Sequence, residues 1–360
     1  MINFLELKRV VEINSYTKNK KGVDANGAIY RQWLEEIGFK TKVHPRGHIG
    51  DHLHFVSEKK QGNKILLLGH IDTVFPKDSF EHFSEDEEWV YGAGVCDMKG
   101  GNLIAISALR EIYKKRSKIE NIDMLLVSDE ESGSDDSKYL TAALSEDYDY
   151  CFVFEAAGKD DEVVVARKGV GTFFIDIEGL ASHAGNHYNK GINANLEASY
   201  KLQKLTDLTN LELGTTVNVG KIEGGIGANT ISPKALLTFE IRYSSEEERE
   251  RVLSEIDTIV NTEYVKGTKS KLSGGIQRDV MQSSAKQSDL IEKIENIVGY
   301  KLKTEARGGV SDANITSSHN VTTIDGFGPY GDGDHTTKER AKKSTFNERI
   351  QLVSTILENL

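Results

Sequence analysis

A two-domain α/β architecture is what this 360-residue chain predicts: a mostly parallel central sheet flanked by helices, with a smaller ferredoxin-like βαββαβ domain inserted into it. The length exceeds what one core usually fills, because domains commonly hold roughly 100 to 200 residues. Apolar runs alternate with helical stretches as far as about residue 165, give way to a different order from Gly169, and resume after Arg278. The expected division is a discontinuous catalytic domain, residues 1–167 and 277–360, interrupted by residues 168–276.

Ile65-Leu66-Leu67-Leu68 reads as a buried strand, and Ile122 to Val127 as another. Between them, Leu103, Ile106, Leu109, Ile112 and Tyr113 recur at helical spacing from Asn102 to Arg116, a stripe able to lie on that sheet. A helix around Leu140 to Leu144 then precedes a strand from Cys151 to Phe154. In the inserted stretch the order is strand Thr172 to Ile177, helix Asn193 to Leu208, strand Thr216 to Ile222, strand Ala235 to Tyr243, helix Glu246 to Tyr264 and strand Lys269 to Ser273. Ser245 stands as the cap of the acidic run at Glu246 to Glu250. Helix Asp289 to Val298, strands Leu302 to Ala306 and Val321 to Ile324, and helix Phe346 to Leu360 complete the outer domain.

A formal charge of −11 repels phosphate backbones, which argues against a nucleic-acid partner. No apolar run approaches the ~20 residues a spanning helix needs, and the amphipathic N-terminus lacks the order of a secretory signal, so no membrane partner and a cytoplasmic location are expected. Two cysteines, Cys96 and Cys151, are too few for a disulfide framework or a zinc ribbon and read as buried thiols.

The chemistry collects at strand ends. Gly69-His70-Ile71-Asp72, Ser128-Asp129-Glu130-Glu131 and Glu155 each follow an apolar strand, and ligands of open α/β sheets bind beyond the carboxyl ends of strands. Glycines in Tyr91 to Gly101 present Asp97 just before a helix, and the loop Gly331 to Glu339 supplies His335. A lone histidine at a strand end is usually structural, and an acidic pair is usually a cap or a solvated turn. Together, His70, Asp97, Glu131, Glu155 and His335 form a nitrogen and oxygen donor set suited to two Zn2+, with Co2+ or Mn2+ as substitutes, if Asp97 bridges. Asp72, two residues from His70, faces the same way and is expected to accept its ring N–H. Glu130 should point away from its ligating neighbour and serve as general base.

Four ordered motifs resemble the di-zinc amidohydrolases and exopeptidases that include glutamate carboxypeptidase, aminoacylase, acetylornithine deacetylase and succinyl-diaminopimelate desuccinylase: Gly-His-Ile-Asp-Thr-Val at 69–74, Gly-Ala-Gly-Val-Cys-Asp-Met-Lys-Gly-Gly at 92–101, Asp-Glu-Glu-Ser-Gly-Ser at 129–134 and Ala-Ser-His-Ala-Gly at 181–185. The layout is most similar to the glutamate carboxypeptidase-like branch. The resemblance implies that the inserted domain is a lid that dimerises, and that His183 reaches the partner subunit's site to support an oxyanion. It also implies substrate contacts from Asn229, Arg242 and Arg278, an Arg fork suiting a terminal carboxylate, and a substrate-side loop at Gly308 to Asn314. For Arg242 a strand-surface ion pair is an equal reading. This chain departs from the family's frequent prolines at His187 and Tyr188 and after Arg278.

The expected activity is metal-dependent hydrolysis of a peptide or N-acyl amide bond in a small substrate with a free carboxylate, by a carboxypeptidase or deacylase that uses a water held between the metals and Glu130 as base. An aminopeptidase acting on di- or tripeptides is the alternative, and a non-catalytic metal-binding protein of the same fold is the rival outside enzymes.

Overall fold

The computed structural model describes Ile2 and residues 4–360. In chain order it begins with helices α1 (Phe4–Val11) and α2 (Lys20–Glu35), strands β1 (Lys40–His44), β2 (His52–Val56) and β3 (Ile65–His70), and short strands β4 (Ser84–Glu85) and β5 (Trp89–Tyr91). Then come α3 (Lys99–Arg116), β6 (Ile122–Val127), α4 (Ser137–Ser145), β7 (Tyr150–Val153) and β8 (Val163–Arg167). The middle of the chain holds β9 (Gly169–Glu178), α5 (Ala194–Thr206), β10 (Thr216–Gly224), β11 (Lys234–Tyr243), α6 (Glu246–Asn261) and β12 (Lys269–Arg278). The last part holds α7 (Ala285–Val298), β13 (Thr304–Arg307), α8 (Ala313–Ser318), β14 (Thr322–Ile324), β15 (Gly331–Asp332), β16 (Arg340–Lys342) and α9 (Lys343–Asn359).

Two compact units result, residues 1–166 with 283–360, and Arg167–Gln282. The first is a mixed α/β structure around a six-stranded sheet of order β1-β2-β6-β3-β7-β14. β6, β3, β7 and β14 run parallel, and the antiparallel pair β1 and β2 extends one edge. All six residues of β3 and of β6 are buried, as expected of strands covered on both faces. α3 lies against β3 and packs on α1 and α9, while α4 packs on α8. Leu302 to Ala306 does not join this sheet: β13 pairs with β8 in a separate two-stranded sheet, and only the stretch at β14 extends the main one. α7 starts four residues earlier than the apolar pattern suggests, because Ser284 and Gln287 form a reciprocal capping box.

The second unit has a four-stranded antiparallel sheet of order β10-β11-β9-β12. Along β11, Ala235, Leu237, Phe239, Ile241 and Tyr243 are buried and the residues between them are not, so one face of the sheet meets the core to which α5 and α6 contribute. Ser245 caps α6 as expected, its side chain accepting from Glu248 N. The helix stops at Asn261, short of Tyr264, because the buried Lys201 of α5 captures its final carbonyls: Nζ donates to the oxygens of Ile259 (2.5 Å), Val260 (3.1 Å) and Thr262 (2.7 Å), and pairs with buried Glu197 at 3.0 Å. Among the described residues no helix is long and apolar enough to cross a membrane.

Replacing Lys201 with methionine leaves Glu197 buried without its partner and the end of α6 uncapped. The expected loss is about 3 kcal/mol in the urea unfolding of this unit, and a change well below 1 kcal/mol would show that the cap carries little of its stability.

Candidate metal centre

Parallel pairing of β6, β3 and β7 puts three strand exits at one edge. His70 is the last residue of β3, Glu131 lies in the single 3-10 turn Glu130–Ser132 after β6, and Glu155 follows β7. Asp97 arrives from the loop before α3. A Cβ on Gly101 would lie 1.9 Å from Phe154 O, so only glycine lets the start of α3 approach the exit of β7 and bring Asp97 towards Glu155. His335 sits in the β15–β16 hairpin at φ 61°, a left-handed conformation seldom adopted by a residue with a side chain.

The five side chains meet in two trios, His70–Asp97–Glu155 and Asp97–Glu131–His335, and within each trio the candidate ligand atoms lie within 4.8 Å of one another. His70 Nε2 is 3.0 Å from Asp97 Oδ1 and 3.8 Å from Glu155 Oε1, while His335 Nε2 is 3.2 Å from Asp97 Oδ2 and 3.0 Å from Glu131 Oε2. Each imidazole therefore faces a different oxygen of one shared carboxylate. Burial, reinforced by Asp97, raises Glu131 and Glu155 well above the usual carboxyl range. Burial also works against Asp97, but hydrogen bonds from His335 and His70 outweigh it and hold that carboxylate low. Asp97 and Glu131 carry His335 up to about 11. Imidazole nitrogens and the oxygens of a half-buried, mutually repelling set of acids are the donors a divalent cation neutralises, so the residues fit the metals the sequence implies. Cys96 is not among them, for burial pushes its thiol well up and away from the thiolate a metal would need.

Asp72 faces the His70 ring N–H with two groups. The nearest acceptor for His70 Nδ1 is the Asp72 backbone carbonyl at 3.0 Å, with the carboxylate at 3.5 Å. Donation from Nδ1–H leaves Nε2 bare on the ligand side. The Asp72 carboxylate accepts from Thr17 Oγ1 (2.6 Å), Glu130 N (3.3 Å) and Glu131 N (3.2 Å), and so holds the turn that carries both glutamates. Glu130 is buried beside the trios, and Ser134, just past the turn, donates to Asp312 at 2.5 Å, which ties in the Gly308 to Asn314 loop.

Glu339 had no assigned role in the sequence reading. It is 1% exposed, and its carboxyl accepts from the backbone N–H groups of Gly94 (2.9 Å), Cys96 (2.9 Å) and Asp97 (3.0 Å). Burial pushes this carboxyl up to about 8, against the pull of those donors. Pairing of β16 with β5 joins the same two segments, so Glu339 clamps the Asp97 loop to the hairpin that bears His335. Its one sequence cue is its place four residues after His335, which an exposed loop glutamate would share.

The remaining expected site residues belong to the second unit. His183 is exposed, and its Nδ1 accepts from Gly185 N (3.2 Å) and Asn186 N (3.1 Å), so the neutral ring carries its proton on Nε2 as a donor. Asn229 lies on the adjoining loop, its carbonyl accepting from Ala184 N at 2.9 Å. Arg242, on β11, pairs with Glu240 of the same strand at 2.7 Å. Arg278 is buried at the end of β12.

The description "Peptidase family M20/M25/M40" matches residues 66–359, most of the chain. This chain belongs to that family. As an M20 enzyme it is a metal-dependent peptidase or amidohydrolase. It is 26% identical to carboxypeptidase G2 of Pseudomonas sp. (strain RS-16), over 98% of this chain and 88% of that one, and 25% identical to the succinyl-diaminopimelate desuccinylase of Buchnera aphidicola subsp. Acyrthosiphon pisum (strain Tuc7), over 90% of each. Among solved structures, aminopeptidase PepT from Bacillus cereus ATCC 10987 is similar with a TM-score of 0.82 at 22% identity, covering 99% of this chain and 97% of that one. An M20 family metallo-carboxypeptidase from Sulfolobus solfataricus has a TM-score of 0.74 at 14% identity, covering 100% and 99%. At these identities the structural likeness speaks for the fold alone.

Two outcomes follow from the geometry. Glu339→Ala is expected to weaken zinc binding about 10- to 100-fold in a chelator competition, with Glu339→Gln in between because its amide keeps one accepting oxygen. Zinc affinity should rise with pH between about pH 6 and 9, with net proton release seen by calorimetry in two buffers, because His335 must lose the proton it holds up to about 11. A pH-independent affinity would remove His335 from the ligands.

Proposed function

We propose that this M20 enzyme hydrolyses a peptide or N-acyl amide bond in a small substrate with a free carboxylate, as a carboxypeptidase or deacylase. It would do so with two Zn2+, for which Co2+ or Mn2+ could substitute, held by His70, Asp97, Glu131, Glu155 and His335. The observation that carries the reading is Asp97, whose two oxygens face His70 and His335 separately and make one carboxylate common to both trios. Bound there, the cations would polarise the scissile carbonyl and acidify water.

The chain's own residues do the rest. Asp72 keeps the Glu130–Glu131 turn in register with His70, so the base is fixed relative to the ligands. Glu130 accepts the proton of the attacking water and returns it to the leaving nitrogen. The partner subunit's His183 would offer Nε2–H where negative charge develops on the carbonyl oxygen. The second unit, with its β-α-β-β-α-β order, is the ferredoxin-like lid and dimerisation domain in this reading, and Leu196, Tyr200 and Ile222 are exposed on its α5 and β10. Asn229, Arg242 and Arg278 would contact substrate, with an arginine fork on the free carboxylate. The protein would work in the cytoplasm. Carboxypeptidase G2 and the desuccinylase, similar over nine-tenths or more of this chain, support this substrate class. An aminopeptidase acting on di- or tripeptides is the second reading, and an aminopeptidase and a tripeptidase share this fold.

A panel of N-acylated, C-amidated and free di- and tripeptides separates them. Cleavage of N-acylated but not C-amidated substrates is expected, and the reverse would establish the aminopeptidase. Glu130→Ala should retain its metal by elemental analysis and lose at least about 100-fold in kcat. Unchanged turnover would show that another group is the base.

A further inference from the structure

Away from the metal centre, the first unit contains a second place where charge is buried. Arg349, in α9, is 2% exposed, and its guanidinium offers five N–H donors. Nη2 donates to Glu162 O at 3.4 Å and lies 4.0 Å from Asp161 Oδ1, and Nε is buried with no acceptor among the described residues. Asp161 is a weak counter-ion, since its side chain is 53% exposed and the separation is at the limit of an ion pair. A buried guanidinium so poorly matched costs stability unless something else meets it.

The same arginine lines a cavity of about 350 Å3, within the range of small-molecule sites of roughly 300 to 1,000 Å3. Tyr300 forms part of its wall, and Lys303, which has no ion pair among the described residues, stands beside it. Lys301 also lines the cavity but is engaged by Glu295 at 2.5 Å. Asp160, Asp161 and Glu348 complete the charged lining. Two available cations and three carboxylates select against a multiply charged anion such as phosphate, which the acids would repel. A molecule carrying one carboxylate and one ammonium meets both signs.

We propose that this cavity binds a small zwitterion, a free α-amino acid or its close analogue, with its carboxylate on the Arg349 guanidinium and its ammonium among Asp160, Asp161 and Glu348. The site shares no residue with the two metal-binding trios, so it is a separate binding function. The guanidinium supplies the charge-assisted contact for the carboxylate, Lys303 adds long-range attraction, and the acids distinguish an amino acid from a simple acid.

Calorimetric titration of the metal-free 360-residue chain with glycine, acetate and inorganic phosphate tests this. Glycine is expected to bind saturably at one site and more tightly than acetate or phosphate. Arg349→Lys should weaken it about 10- to 100-fold, the value of a charge-assisted pair of hydrogen bonds. The exposed change Asp161→Asn, combined with Glu348→Gln, should weaken glycine while leaving acetate unchanged or tighter. Arg349→Met supplies a readout that does not depend on ligand: a stability equal to or above that of the unaltered protein is expected, because an unmatched buried charge is replaced by an apolar chain. Absence of saturable glycine binding, binding undiminished by Arg349→Lys and by the double change, tighter binding of phosphate than of glycine, or strong destabilisation by Arg349→Met would each overturn the proposal.

Discussion

Crowding of three poorly solvated acids governs the candidate centre. Asp97, Glu131 and Glu155 converge on two imidazoles, and the arrangement is held together by the histidines that face Asp97 from either side. Burial first, and then repulsion from Asp97, makes Glu131 and Glu155 resist ionisation, and two imidazoles are a poor neutraliser for three carboxylates. Cations remove that conflict at once, and they do so only if the five groups arrive already placed. Preorganisation is therefore the task of the fold around them, which is why so many of the polar contacts nearby are to backbone rather than to other side chains.

The contacts that place the ligands come from far along the chain. Glu339 reaches back to the Asp97 loop, Asp72 holds the Glu130–Glu131 turn, and Asn102 Nδ2 donates to His70 O at 2.7 Å. The parallel sheet fixes where β3, β6 and β7 end, but these bonds fix how each exit turns. A carboxylate that accepts backbone N–H groups sets the direction of a whole loop, whereas a side-chain partner sets only one rotamer. The shared ligand Asp97 is controlled in this first way.

What could be read in the sequence follows the same division. Strand exits followed by His, Asp or Glu are local patterns, and they located His70, Glu131 and Glu155 beside one another through the sheet alone. The buried strand at Ile65 and the apolar stripe of α3 were legible because period and burial are written in neighbouring residues. The antiparallel pair β1 and β2 was less legible, since β1 carries a single aliphatic residue, Val43, among polar ones, although Pro45, Gly47 and Gly50 punctuate the connection to β2. Capping at Ser284 and the capture of the α6 carbonyls by Lys201 moved helix boundaries that periodicity placed elsewhere, because a cap is a single side chain and leaves no periodic trace. The spacing of His70 and Asp72 shows that the two meet, but not that the backbone carbonyl lies closer to the ring than the carboxylate does.

Glu339 and Arg349 show how burial separates a structural charge from a binding one. Both are nearly inaccessible, and both would be read as solvated from sequence, one in a polar loop and the other on a helix with charged neighbours. Glu339 meets three backbone N–H groups at 2.9 to 3.0 Å, so the protein satisfies it internally and gains a rigid loop in exchange for its desolvation. Arg349 meets one carbonyl at 3.4 Å and a half-exposed acid at 4.0 Å, and it borders a cavity. The metal ligands lie between these cases, partly matched by one another and completed by cations. The degree to which a buried charge is matched from within therefore distinguishes groups that build the site from groups that bind what enters it, and exposure alone would have classed Glu339 and Arg349 together.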